Sequence, residues 1–295
     1  PLMMKKLNKT THFRFDTQFE LLNLGISLQN MYLTISLTEK LKYGFSLPYD
    51  LFEFAINGNI PYMKEGKPHD FKGFGLNFTH YREFAVGMSM KANEELRLGG
   101  RMKILFGQSN FNTDIKKLSI HTDPENYMMT WVTDMKIQTS SPLNYEYIMT
   151  PDSIHLGIDE EEFDKLQNQG AGAMASAFLL NMKNIGIGFD LGANYKINPE
   201  IEVYGSLNDF GFINWSNNPH NFMSEGEYDF RGIEFNLFDK NENKFNESVE
   251  NLVDTLINTF KFDLLETSYM TWLPSNLYFG GKYKFHEKLH FNVLY

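Results

Sequence analysis

The chain has 295 residues, no cysteine, a net charge of -10 and 42% hydrophobic residues. Lack of cysteine excludes a disulfide scaffold and thiolate metal sites, and the acidic balance argues against nucleic acid as a partner. A spanning helix needs about 18 apolar residues in a row; the best run, Ala173 to Leu180, is under half of that. A β-barrel stays open, because residues facing a polar lumen keep mean hydropathy low. The 27 Phe and 15 Tyr suit strands and interfacial girdles.

The chain opens Pro1-Leu2-Met3-Met4-Lys5-Lys6, without an initiator Met or a secretory leader pattern, and is read as an internal fragment or processed form. Phe13, Phe15, Phe19 and Leu21 alternate with Arg14, Asp16, Gln18 and Glu20, predicting a first strand that is followed by Leu24 to Leu28. Met31, Leu33, Ile35 and Leu37 predict the next. Thr38-Glu39-Lys40 reads as a turn, and Leu41, Tyr43, Phe45 and Leu47 as the returning strand. Pro48 then opens a short helix, Tyr49 to Ile56, stopped by Asn57-Gly58-Asn59.

The strongest pattern follows. From Phe74 to Met90 the even positions are mostly apolar, against Asn77, Thr79, Tyr81, Glu83, Ser89 and Lys91 at odd ones. After Asn93-Glu94-Glu95, Leu96, Leu98, Met102, Ile104 and Phe106 oppose Arg97, Arg101 and Lys103. This is a long amphipathic hairpin, of a length suited to a tilted path across a bilayer. Gly107 to Thr113 reads as a polar loop, leading to a less regular strand ending at Thr122. Asp123-Pro124-Glu125 reads as a turn, and Tyr127 to Ile137 alternates again.

Residues 139–184 are irregular, with an acidic helix start at Asp159-Glu160-Glu161-Glu162 and a small-residue stretch from Gly170 to Ala177. Ile185, Ile187, Phe189, Leu191, Ala193 and Tyr195 then alternate with Gly186, Gly188, Asp190, Gly192 and Asn194. Ile197-Asn198-Pro199-Glu200 turns into Ile201, Val203, Gly205 and Leu207. The apolar phase slips near Asp209 to Phe210 and Phe212, which predicts a bulge. Within residues 215–274, Val249 to Phe260 carries a helical stripe with Asn246 as N-cap. A last hairpin turns at His286-Glu287-Lys288 and ends at Tyr295.

Short connections at 38–40, 93–95, 123–125, 197–200 and 286–288 contrast with long ones at 48–70, 139–184 and 215–274. Counted strand by strand, the long ones share one end, the arrangement of outer-membrane barrels. The predicted fold is an all-β antiparallel transmembrane β-barrel, one domain over residues 1–295. About eleven strands are visible, and even-numbered barrels imply further strands.

Leu47-Pro48-Tyr49-Asp50-Leu51 through Asn57-Gly58-Asn59, His80-Tyr81-Arg82-Glu83-Phe84, Leu98-Gly99-Gly100-Arg101-Met102-Lys103 through Gly107, and Leu273-Pro274-Ser275-Asn276-Leu277-Tyr278-Phe279-Gly280 form a set. With these segments the chain resembles an uncharacterised family of Bacteroidota outer-membrane proteins. In architecture that family is similar to the barrels of long-chain fatty-acid transporters and of the type IX secretion shuttle. The resemblance implies an outer-membrane location and fold, with further strands after Tyr295. It implies no catalytic residues.

Glu83, Lys91, Arg97, Arg101 and Lys103 share the polar face of the long hairpin. They read either as lumen groups for an anionic solute or lipid head group, or as a self-neutralising charge network. The eight histidines lack zinc-protease spacing, and no metal or cofactor is expected. Ser119, His121 and Asp123 share a strand face by parity, yet one strand offers side chains in a row rather than a converging site, so no enzyme activity is expected. The expected partners are membrane lipid and an envelope protein. The expected function is passage of a hydrophobic or small solute, or scaffolding of an envelope complex. The alternative is a soluble secreted β-rich module binding glycan or protein through its long loops.

Overall fold

The computed structural model describes residues 8–142, 145–150, 153–158, 181–230, 262–287 and 289–295, with isolated positions between 164 and 172. The strands are β1 (Thr10–Ser27), β2 (Met31–Pro48), β3 (His69–Asp70), β4 (Gly75–Lys91), β5 (Leu96–Thr122), β6 (Met129–Ser140), β7 (Tyr145–Thr150), β8 (Ser153–Ile158), β9 (Asn184–Lys196), β10 (Ile201–Trp215), β11 (Pro219–Phe230), β12 (Asp263–Leu265), β13 (Tyr269–Trp272), β14 (Asn276–His286) and β15 (Leu289–Leu294). Helices α1 (Tyr49–Asn57) and α2 (Ile60–Glu65) lie between β2 and β3. Among the described residues, thirteen strands form one antiparallel sheet whose main path runs β1-β2-β4-β5-β9-β10-β14-β15, and β7 and β8 form a separate hairpin.

The sheet curls into a half-barrel, and side-chain reach shows why. Lys40 on β2 and Asp209 on β10 lie four strand spacings apart on the main path. In a flat sheet that is about 19 Å, farther than the two side chains together can reach. Their charged ends are 3.1 Å apart. The face carrying them is therefore concave.

Polarity follows the two faces. Along β5, Met102 is 69% and Ile104 43% exposed, whereas Lys103 is 2% and Leu105 0% exposed. Leu24, Ile35, Val86, Met102, Phe189 and Phe210 are register partners in succession from β1 to β10, and all six are exposed. This apolar band covers the convex face, while Lys40, Lys42, Glu83, Lys103, Asn110 and Asp209 are buried on the concave one.

Several expected elements are present. Helix α1 starts after Pro48, and Gly58 closes it at φ 70, a left-handed conformation open to glycine. Register shifts between Leu207 and Phe210, and Asp209 has φ 58, so the bulge lies at the phase slip. The tight connections after β4, β9 and β14 fall where expected.

Others differ. Thr38-Glu39-Lys40 is not a turn: β2 runs unbroken to Pro48, and the first hairpin turns between Ser27 and Met31. Its polar residues are buried in ion pairs, which in sequence look like loop residues. Phe13 to Ser27 is one strand with a register shift between Glu20 and Leu22. Gly107 to Thr113 is also strand, because Gln108 and Asn110 are buried and hydrogen-bonded. As β5 therefore runs to Thr122, the 123–125 connection lies at the same end as the long loops. The short-turn end holds the connections at 28–30, 92–95, 197–200 and 287–288. The excursion after β10 contributes β11, β12 and β13 to the sheet. Asp159 to Glu162 and the stripe from Asn246 to Phe260 lie outside the described residues.

At the long-loop end α1 and α2 close over β3. The His69 ring is 1% exposed, stacked on Tyr62 at 4.0 Å and edge-on to Phe54 at 5.1 Å. Neither ring nitrogen has a hydrogen-bond partner among the described residues. On the concave face Trp215 lies against Gly107, where a Cβ would come within 2.5 Å of the indole.

Two outcomes are expected. Gly107→Val pushes Trp215 from its place at a cost of about 1–3 kcal/mol, read as a lower urea midpoint in detergent and a shifted tryptophan emission. Burial lowers the His69 pKa, against the smaller opposing pull of Asp50 and Glu53. The folded state thus resists protonation more than the unfolded chain, which takes its proton near pH ~6.5. Packing of α1 and α2 is complete above that pH and weakens as pH falls through it toward the lowered folded-state value. Amide-exchange protection over residues 49–71, taken relative to the intrinsic exchange rate at each pH, should fall between pH 7.5 and 5, and His69→Phe should flatten that dependence.

Candidate functional site: a charged cavity on the concave face

The concave face is layered along the strands. At the short-turn end Lys91, Arg97 and Lys196 surround a small hollow with Glu94, Glu95 and Glu202. Next comes a cavity of about 770 Å³. Its wall includes Thr34, Ser89, Ser206, Asn208, Asn276 and Tyr278, with Gly87, Gly99, Gly100 and Gly192 in the same lining. Side chains alternate on a strand, so the even positions of β9 and the odd positions of β5 supply this face.

Beyond the cavity, toward the long loops, lies an ionic network. Lys40, Lys42 and Lys103 place Nζ 3.1, 2.8 and 2.7 Å from the Asp209 carboxylate. Lys103 also lies 2.6 Å from Asp190 Oδ1 and 3.4 Å from Glu83 Oε2, and Lys40 is 2.8 Å from that same Glu83 oxygen. Three ammonium groups therefore meet three carboxylates. The bulge aims Asp209 into this cluster. Aspartate tolerates its left-handed backbone better than most residues do. Its N–H donates to Asp190 Oδ1 at 2.8 Å, and Ser275 Oγ donates to its carbonyl at 3.3 Å.

An apolar layer follows: Tyr81, Leu105, Ile213, Trp215, Tyr269 and Leu273 form one buried cluster. Trp215 Nε1 donates to Thr271 Oγ1 at 2.8 Å and Tyr269 Oη to Asn110 Oδ1 at 2.9 Å, whereas the buried Tyr81 hydroxyl has no hydrogen-bond partner among the described residues. Amides complete the stack. Asn184 Oδ1 accepts from the N–H groups of Ser216 and Asn217 at 2.8 Å, and Gln108 Nε2 donates to Asn181 O at 2.9 Å.

The structure divides the five hairpin residues of the sequence reading. Glu83 and Lys103 are inside the network, and Arg101 lines the cavity. Lys91 and Arg97 lie at the short-turn end instead. Sequence reasoning missed Lys40, Lys42, Asp190 and Asp209. Asp190 was visible as the one acid on the glycine face of β9, and Asp209 as the residue at the phase slip. The separations of 106 to 169 residues between Asp209 and its lysines left no local signal.

Glu39, His80 and Arg82 sit on the other face. Glu39 Oε2 accepts from Arg82 Nε at 2.8 Å and Glu39 Oε1 lies 2.7 Å from His80 Nε2. Ser119, His121 and Asp123 are not joined to one another by any hydrogen bond among the described residues; Ser119 stands opposite Asp70 in the sheet. The described residues hold no group of three or more His, Cys, Asp or Glu placed for a metal. No described helix is long and apolar enough to cross a membrane.

Residues 2–295 match DUF5723, a family of unknown function. The chain belongs to this family. No curated protein and no solved structure matches the chain. In this DUF5723 chain the layered face is thus the direct source of any functional argument.

Asp209→Asn keeps the side-chain shape and removes the charge that three lysines share. Leaving them unbalanced should cost about 3–5 kcal/mol, measured as a fall in the urea midpoint in detergent. Arg14 and Asp16 form a half-exposed pair at 2.6 Å. Arg14→Gln should therefore cost no more than about 1 kcal/mol.

Proposed function

We propose that this chain forms the wall of a bacterial outer-membrane β-barrel whose lumen holds and passes a small polar solute entering from the short-turn end. The observation that carries this reading is the inverted polarity of the sheet. A continuous apolar band faces outward, and the ionisable side chains of Lys40, Lys42, Glu83, Lys103 and Asp209 are buried inward. Water would favour the opposite arrangement. A bilayer favours this one, since a lipid-facing charge at mid-depth costs about 2–4 kcal/mol while lumen charges are tolerated.

The dimensions agree. On β5 the outward residues from Leu96 to Phe106, and on β9 those from Ile185 to Tyr195, each span eleven positions, and a tilted strand crosses the hydrocarbon in about 9–11 residues. Four tight connections at one end and long excursions at the other follow the pattern of outer-membrane barrels. The resemblance to Bacteroidota outer-membrane proteins points the same way. A soluble binding module would need a second layer over the apolar band, whose side chains are exposed among the described residues.

The lining selects between the expected solutes. Hydroxyl, amide and charged groups dominate the cavity, which favours a small polar solute over a hydrophobic one. Toward the long loops the ionic and aromatic layers close this wall, so the cavity is a binding recess approached from the short-turn end.

Heat-modifiability in the outer-membrane fraction tests the reading. A folded barrel should run at an altered mobility on an SDS gel until boiled. A protein that stays soluble and monomeric without detergent, and shows no shift on boiling, overturns it.

A further inference from the structure

We propose that the cavity takes a small hydroxylated oxyanion, a carboxylate or phosphate seated on Arg101. The inference rests on the lumen reading above and adds the class of ligand. It follows from the charge balance of the cavity wall. The acids lining it are each held by a close cation. Asp209 has three lysines within 3.1 Å, Asp190 has Lys103 at 2.6 Å, and Asp16 has Arg14 at 2.6 Å. Behind them Glu83 is held by Lys40 and Lys103. Among the described lining residues Arg101 is the cation left over. Its nearest carboxylate oxygen, on Asp190, is 3.9 Å away, beyond hydrogen-bond reach, and its side chain is 40% exposed to the cavity.

A guanidinium presents a planar fork of donors matched to a carboxylate or phosphate, and a charge-assisted pair of this kind is among the stronger hydrogen bonds. The remaining lining matches hydroxyl groups. Thr17, Thr34, Ser89, Ser206 and Tyr278 offer hydroxyls that both donate and accept. A volume of about 770 Å³ is ample for a sugar-sized solute. At the short-turn end Lys91, Arg97 and Lys196 are matched by Glu94, Glu95 and Glu202. Lys91 and Arg97 also line a hollow without an acid that shares Tyr32 and Ser89 with the cavity, so an anion is drawn in there and Arg101 is the cation on which it is seated.

The test is calorimetric titration of the full-length protein in detergent at low salt with gluconate, glucose 6-phosphate and glucose. At least one of the two anions should bind roughly tenfold more tightly than glucose, and which of them does so separates a carboxylate from a phosphate ligand. Arg101→Gln should reduce the anion to the glucose level, and Lys64→Gln on α2 should leave all three unchanged. Equal binding of glucose and the anions overturns the proposal, as does anion binding undiminished in Arg101→Gln or no binding of any probe. Heat-modifiability measured on the same preparations keeps the outcomes apart. A wild-type protein that shifts on boiling but binds no anion refutes the ligand class alone. Loss of the shift in wild type refutes the barrel itself. Arg101→Gln that retains the shift shows that lost binding is not lost folding.

Discussion

The meeting of Lys40, Lys42 and Lys103 on Asp209 is the constraint on which the structure turns. It ties β2 and β5 to β10, and through Glu83 and Asp190 it includes β4 and β9. These five strands are consecutive on the main path of the sheet, so the contacts can form only when the sheet is curled. Charges buried to this degree would be costly singly. Three cations set among three carboxylates compensate that cost locally. Side chains of that length can do so from diagonal positions: Thr38, Glu83 and Leu105 are register partners, and Lys40 and Lys103, each two residues along its own strand, approach Glu83 from either side.

Once the concave face is committed to charge, the alternation of β-structure commits the convex face to apolar groups. Glu39 and Arg82 depart from that rule. They are register partners on the convex side, with His80 beside them. The apolar face continues past their level toward the long loops at Phe13, Phe15, Tyr43, Phe45 and Leu76, all exposed. Pairing of Arg82 with Glu39 at 2.8 Å lowers the cost of charge at this position.

Alternation made the faces, most turns and the bulge legible in the sequence. Wherever polar residues stood in an unbroken row, the reading failed for one physical reason. A mid-strand run such as Thr38 to Lys40 has the composition of a turn, but Thr38 is buried and Glu39 and Lys40 enter two buried ionic clusters, one on each face. Likewise Gln108, Asn110 and Asn112 resemble a loop until their partners across the sheet are known. In each case the compensating group is supplied by a distant strand, and a single sequence read locally has no means of seeing it. Three residues of the site were visible for the converse reason: Glu83, Arg101 and Lys103 stand on the polar face of a hairpin that alternates cleanly.

The bulge at Asp209 links the legible part to the hidden part. A phase slip alone predicts only a local irregularity. Here the extra residue is one that tolerates a left-handed backbone, and its side chain enters the network while Phe210 and Phe212 resume the convex phase. The placement gives the concave face its direction. On the short-turn side of the bulge the face is small and polar, from Gly192 and Ser206 to Gly99 and Ser89; on the other side Ile213 and Trp215 fill it. On the proposed reading a solute from the short-turn end meets Arg101 before it meets the balanced network, and the aromatic layer lies beyond both. Passage along this wall would then require the lysines to release Asp209.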